Sequence, residues 1–162
     1  MSATPSAAPV GWQYVGEYTV HNGVPVRPNV PLLVEKPGVY RLTFANGFVY
    51  IGQTVDIARR LREYVKPSQG TEQEYVMRHI LLDAGSATID VITAAEFEIE
   101  DKKEKQKRLT KREEEELEDA IERGDLVLNT GGAGRSHYLR FRIPYHAEML
   151  ATVIAEWQAS VA

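Results

Sequence analysis

GVYRLTFANGFVYIGQTVDIARRLREYV, residues 38–65, decides how this chain folds. Two runs of β-branched and aromatic residues, GVYRLTF (38–44) and FVYIGQ (48–53), flank Ala45-Asn46-Gly47. That pattern predicts a β-hairpin. Loop length sets which side chains share a face. With Asn46-Gly47 alone as the loop, paired positions sum to an odd number, and Tyr40 and Tyr50 point to opposite faces. With Ala45-Asn46-Gly47 as the loop and Gly47 at positive φ after a type I turn, the sum is even and the two tyrosines share a face. A shared site needs the second arrangement, so the three-residue loop is expected. Asp56 can then cap a helix over IARRLREYV, whose Ile57, Leu61, Tyr64 and Val65 form one stripe.

Arg60 lies three residues after Ile57 and four before Tyr64, beside that stripe. An arginine on a helix is ordinarily a surface charge with a buried stem, which is how Arg59 and Arg62 read. Arg60 is aimed toward the sheet, where an unpaired guanidinium is costly unless an anion meets it. A bidentate grip on a phosphate accounts for that placement.

Further along, TEQEYVMRHILLDAG (71–85) predicts a second helix with Tyr75, Val76, His79, Ile80 and Leu82 at helical spacing and Gly85 as its stop. ATIDVIT (87–93) alternates as a third strand. A long helix is expected over much of Lys102–Arg123, ending at Gly124. DLVLNTGGAG is a turn-rich exit, SHYLRFRIP a short strand closed by Pro144, and Tyr145–Ala159 a final amphipathic helix. Before the hairpin, residues 1–10 read as a disordered tail. Residues 11–37 read as short-strand and turn material punctuated by Asn22-Gly23 and four prolines.

The order hairpin, helices, strand, helix predicts an α/β chain (an α+β sandwich) with a small central, mainly antiparallel three-stranded sheet flanked by helices. The expected organisation is a tail (1–10), a strand and turn extension (11–37), a core (38–132), and a C-terminal strand and helix packing on that core (133–162).

Composition narrows the function. The 162 residues suit one domain, and 43% apolar with 26% charged is ordinary globular usage. No apolar run approaches the roughly 18 residues of a membrane span, and MSATPSAAPV lacks the basic and apolar regions of a signal peptide. The expectation is a cytoplasmic protein with no membrane partner. With no cysteine there is no disulfide, thiol nucleophile or cysteine zinc site. His21, His79, His137 and His146 lack HxxxH or HExxH spacing, so zinc is not expected.

The net charge of −4 argues against bulk coating of nucleic acid, but the charge is unevenly placed. DKKEKQKRLTKR (101–112) carries seven basic and two acidic residues and runs straight into EEEELEDAIE. A solvated helix laced with i,i+4 ion pairs is one account of this. A basic flank beside a carboxylate cluster, suited to phosphates and a metal, is the other.

Gly38-Val39-Tyr40 followed by Tyr50-Ile51-Gly52 resembles the GIY-YIG nuclease family. The likeness extends through YIGQTVDIARRLREY (50–64), with Arg60 ten residues after the second tyrosine and Tyr64 one turn later, to MRHILLDAGSATIDVIT and LNTGG (128–132). The resemblance implies a metal-dependent phosphodiesterase that cuts DNA. It makes Tyr40 the candidate for activating water, with Tyr50 assisting, and Tyr64 a contact to the phosphate or leaving group. A phenol with a reference pKa of about 10 needs a nearby cation or metal to act as a base at neutral pH. Asn129 matches the family's asparagine, holding a loop or a phosphate with its amide.

The family's single helix glutamate has several candidates here. An ungapped offset of twelve residues back from Asn129 lands on Leu117, which cannot bind metal. Leu117, Ala120, Ile121 and Gly124 share a stripe that Glu113 continues one turn earlier. Glu114 sits slightly to one side, and Glu116 and Glu118 lie near the stripe's edges. Glu113 and Glu114 rank first, then Glu118. One carboxylate, a phosphate oxygen and waters suit Mg²⁺, with Mn²⁺ as substitute. Arg59, Arg62, Lys107, Arg135 and Arg140 are candidate DNA contacts, and Gly131–Arg135 is a candidate anion nest.

The favoured reading is therefore a Mg²⁺-dependent DNA endonuclease. Few residues follow the motif, which suits a compact restriction-type or phage or plasmid nuclease. A palindromic site would call for a homodimer or sequential nicking. The alternative is a catalytically degenerate GIY-YIG fold that binds DNA or protein without cutting.

Overall fold

The computed structural model describes residues 11–26, 28, 35–65 and 72–128, together with positions 155, 156, 158 and 159. The expected tail, the SHYLRFRIP strand and most of the final helix lie outside these residues, although Ala155, Glu156, Gln158 and Ala159 are helical. The elements run β1 (Gln13–His21), β2 (Val24–Val26), β3 (Gly38–Phe44), β4 (Phe48–Thr54), α1 (Ile57–Glu63), α2 (Glu72–Ala84), β5 (Ser86–Ile92), a 3₁₀ turn (Ala95–Phe97), α3 (Lys102–Glu122) and β6 (Leu126–Val127).

The sheet has six strands in the order β2-β1-β5-β3-β4-β6, which corrects the expected three. All neighbours are antiparallel except β4 and β6. The three expected strands form its centre. β1 pairs along the free side of β5, and Asn22-Gly23, both at positive φ, turns it into β2. Pro25 is tolerated there because β2 is the edge strand of that side. A bulge between Tyr14 and Gly16 shifts the register of β1, so that Val15 and Tyr18, three residues apart, are both buried. The DLVLNTGGAG exit begins with the two-residue parallel strand β6 before leaving the described residues.

Strand alternation sends side chains to two cores. Tyr40, Leu42 and Phe44 of β3, Tyr50 of β4, Ile89 and Val91 of β5, and Tyr18 of β1 pack with α1 and α2. Val39, Val49, Ile51 and Ile92 face Leu109, Leu117 and Ala120 of α3, with Phe97 of the 3₁₀ turn beneath. On α2 the buried stripe is Val76, Met77, Ile80 and Leu81. His79 and Leu82 are only half-buried, so the apolar face is rotated from the expected one. Tyr75's side chain lies outside the described residues. On the α3 side, Arg41 is buried and reaches Asp125 at 3.0 Å, tying β3 to the end of α3.

Candidate active site

The hairpin loop is Ala45-Asn46-Gly47. Gly47, at φ +94°, donates to Phe44 O at 2.8 Å, and the flanking register pairs Tyr40 with Gly52 and Leu42 with Tyr50. Both tyrosines consequently stand on one face, ring centroids 6.2 Å apart. Gly52 is required by the ring opposite: a Cβ there would lie 2.5 Å from the Tyr40 hydroxyl oxygen and 2.6 Å from its Cζ. The last glycine of YIG is thus the floor on which the tyrosine of GIY rests.

The turn from β4 into α1 is built locally. Asp56 caps the helix by accepting from Arg59 N at 3.1 Å, and Thr54 Oγ1 accepts from Asp56 N at 3.2 Å. From that start α1 buries Ile57 and Leu61 and carries Tyr64 to its end. The Tyr64 hydroxyl hydrogen-bonds the Tyr40 hydroxyl, and the rings meet edge-on with centroids 6.2 Å apart. Arg60, one turn earlier, places its guanidinium carbon 4.8 Å from the Tyr64 ring centroid, a cation–π contact. Its Nη1 donates to Glu63 Oε1 at 3.3 Å and to Glu74 Oε2 of α2 at 3.4 Å. Glu74 is a partner the sequence did not disclose.

Burial pushes the phenols of Tyr40 and Tyr50 well above the ordinary tyrosine value, and the oxygen of Tyr64 raises both further. Arg60 pulls the other way without reversing the shift. At neutral pH these are neutral phenols. For Arg60, burial works against the charge, but the oxygens of Tyr64, Tyr40 and Tyr50 outweigh it and hold the guanidinium above its usual value. It stays charged.

Tyr18 is a second member that the sequence reading missed. From β1 it donates to Leu61 O at 2.5 Å, and burial, aided by Tyr64, raises its pKa as well. Only the alternation of QYVGEYTVH could have found it, and the bulge disrupts that alternation.

Residues 36–115 match the family model for the GIY-YIG catalytic domain. The chain belongs to the GIY-YIG nuclease family. Neither the curated proteins nor the solved structures compared with it gave a match. The GIY-YIG match begins after β1 and β2, and it includes Glu113 and Glu114 but not Glu118 or Asn129.

In this GIY-YIG chain Glu113 is half-buried on α3, one turn from Leu109 and one from Leu117, both buried. Its carboxylate adds to the upward shift of Tyr50. Glu114 and Glu118 are exposed, and Glu116 pairs with Arg112 at 2.9 Å. No group of three or more His, Cys, Asp or Glu side chains that could hold a metal forms among the described residues. Arg59 and Lys107 are exposed and Arg62 is half-buried. Asn129, Arg135, Arg140 and the glycine-rich segment lie outside the described residues. No helix among the described residues is long and apolar enough to cross a membrane.

Proposed function

We propose that this chain is a divalent-metal-dependent DNA endonuclease, of compact restriction type or from a phage or plasmid. The observation that carries the reading is Arg60, a half-buried charged guanidinium stacked on Tyr64 beside the Tyr40 and Tyr50 hydroxyls. In this reading Arg60 neutralises charge that develops on the scissile phosphate. Tyr40 and Tyr50, as neutral phenols, hold the attacking water and a phosphate oxygen by hydrogen bonds, and Tyr64 fixes Tyr40 through the hydrogen bond between their hydroxyls. Asn129 holds a loop or a phosphate with its amide.

The donor chemistry fits a hard ion. Glu113 offers a carboxylate whose charge is felt at the Tyr50 phenol, and the phosphate and waters would complete an oxygen shell suited to Mg²⁺ or Mn²⁺. A bound divalent ion would supply Lewis-acid stabilisation of phosphate charge. Glu113 is the first choice of ligand, ahead of Glu114 and Glu118, because it alone of the three is half-buried on the sheet-facing stripe.

A second reading, a DNA- or protein-binding fold without cutting, is favoured by one observation: Arg60 already has two carboxylate partners. Supercoiled plasmid incubated with the chain, with and without Mg²⁺ and beside Arg60→Ala, separates the two. Relaxation or linearisation that needs both metal and Arg60 supports the endonuclease. Binding without cutting across methylated and unmethylated DNAs supports the binding fold.

A further inference from the structure

Helix α3 ends against its own dipole, with acidic residues and no basic one in its last turn. A helix favours acidic residues in its first turn and basic ones in its last. Here the first turn carries Lys102 and Lys103 between the acidic cap Asp101 and Glu104, whereas the last turn has no basic residue and includes Asp119 and Glu122. Arg123, the cap residue, is turned to Asp125 at 3.3 Å.

The two arginines in the basic half are engaged. Arg108 binds Glu104 at 3.2 Å and Glu96 O at 3.0 Å, and Arg112 binds Glu116 at 2.9 Å. The lysines are not. Among the described residues no ion pair involves Lys102, Lys103, Lys105, Lys107 or Lys111, and all but Lys105 are exposed. On the far side of Glu113 the exposed residues are Glu114, Glu115, Glu118, Asp119 and Glu122. A solvated helix has no need of such segregation, since interspersed signs give better i,i+4 pairing. At about 1.5 Å per residue the lysine half is about 14 Å long, enough to face several phosphates of a duplex that carries a charge every 1.7 Å or so.

We infer that α3 is a two-zone DNA rail. Its lysine stripe, on the outward face of α3, lies along the phosphate backbone of a bound duplex, and its acidic half repels that duplex. The inference rests on the endonuclease reading for its substrate, and Glu113 marks the boundary between the zones.

The test is fluorescence-anisotropy binding of the full chain to a 30-base-pair duplex in EDTA, between 50 and 200 mM salt. The variant Lys103→Gln/Lys107→Gln/Lys111→Gln is expected to lower the salt slope of log K by roughly 0.9 for each phosphate no longer neutralised, by about 2 to 3 in total. Its thermal midpoint should hold or rise, because Lys103→Gln relieves the dipole. The corresponding arginine triple should restore the slope. Glu114→Gln/Glu118→Gln should tighten binding at 50 mM salt severalfold. Wild type that binds with a slope unaltered in the lysine triple overturns the rail, and an unaltered affinity in the glutamate pair overturns its repelling half. Wild type that binds no duplex overturns the DNA reading itself along with the rail.

Discussion

The two faces of the sheet each hold an arginine, and the two are held differently. Under α3, Arg41 is 4% exposed and closes a short ion pair with Asp125 at 3.0 Å, its Nε turned to Thr43 Oγ1 at 3.3 Å. Under α1 and α2, Arg60 is 20% exposed. Its two carboxylates share one nitrogen at 3.3 and 3.4 Å, and the remaining contacts are to phenols. Arg41 commits Nη1 to a carboxylate and Nε to a hydroxyl. Arg60 keeps donors beside neutral hydroxyls and at the rim of solvent. Burial alone does not separate the two arginines; under the proposed function, the longer, shared contacts and the company of hydroxyls do.

The comparison breaks first on activity. Arg60→Ala should cut plasmid cleavage on the order of 100-fold to 1,000-fold while circular dichroism stays native. Arg41→Ala should do the reverse, losing about 2–3 kcal/mol in urea denaturation while the folded fraction retains its turnover. The lower figure allows for the solvent that reaches Asp125, which is 25% exposed. Equal loss of turnover in both variants would end the distinction.

A smaller effect tests the floor beneath Tyr40. Gly52→Ala places a methyl 2.5 Å from the Tyr40 hydroxyl, and since that ring is buried it must shift. The expected cost is about 1–3 kcal/mol of stability, accompanied by reduced cleavage. Native stability with full activity would mean that Tyr40 is free to move.

The smallest effect is a pH dependence. Folding raises the pKa values of Tyr18, Tyr40 and Tyr50 above the ordinary value of about 10. The unfolded chain therefore releases these protons first as pH climbs. These phenols leave stability untouched below pH of about 10 and subtract from it above that point. Urea midpoints measured from pH 8 to 11 should show the fall, shallower in Tyr18→Phe. The α3 face, which contributes no tyrosine to its core, should add nothing to it.

The hairpin parity was legible because turn chemistry at Asn46-Gly47 and the spacing of two tyrosines speak to one another over a dozen residues. The helix behind Asp56 was legible for the same local reason. β1 was legible only as short-strand and turn material, because its bulge breaks the alternation that marks a full strand, and Tyr18 went unseen with it. Glu74 was not legible: its meeting with Arg60 depends on how α2 crosses α1, a matter of tertiary packing. The glutamates of α3 stayed ambiguous in sequence because a run of four gives every face a carboxylate. Helix orientation separates them, leaving Glu113 half-buried and Glu114 and Glu118 in solvent.

One contact redraws the boundary of the working unit. The family match starts at residue 36, yet the hydroxyl of Tyr18 holds the backbone of α1 at Leu61, the residue following Arg60. A motif transplanted from residue 36 onward would bring every signature side chain and leave behind the strand that braces them. Modularity in this chain is thus coarser than its signature, and a cassette cut at the motif would inherit the letters of the site without its rigidity.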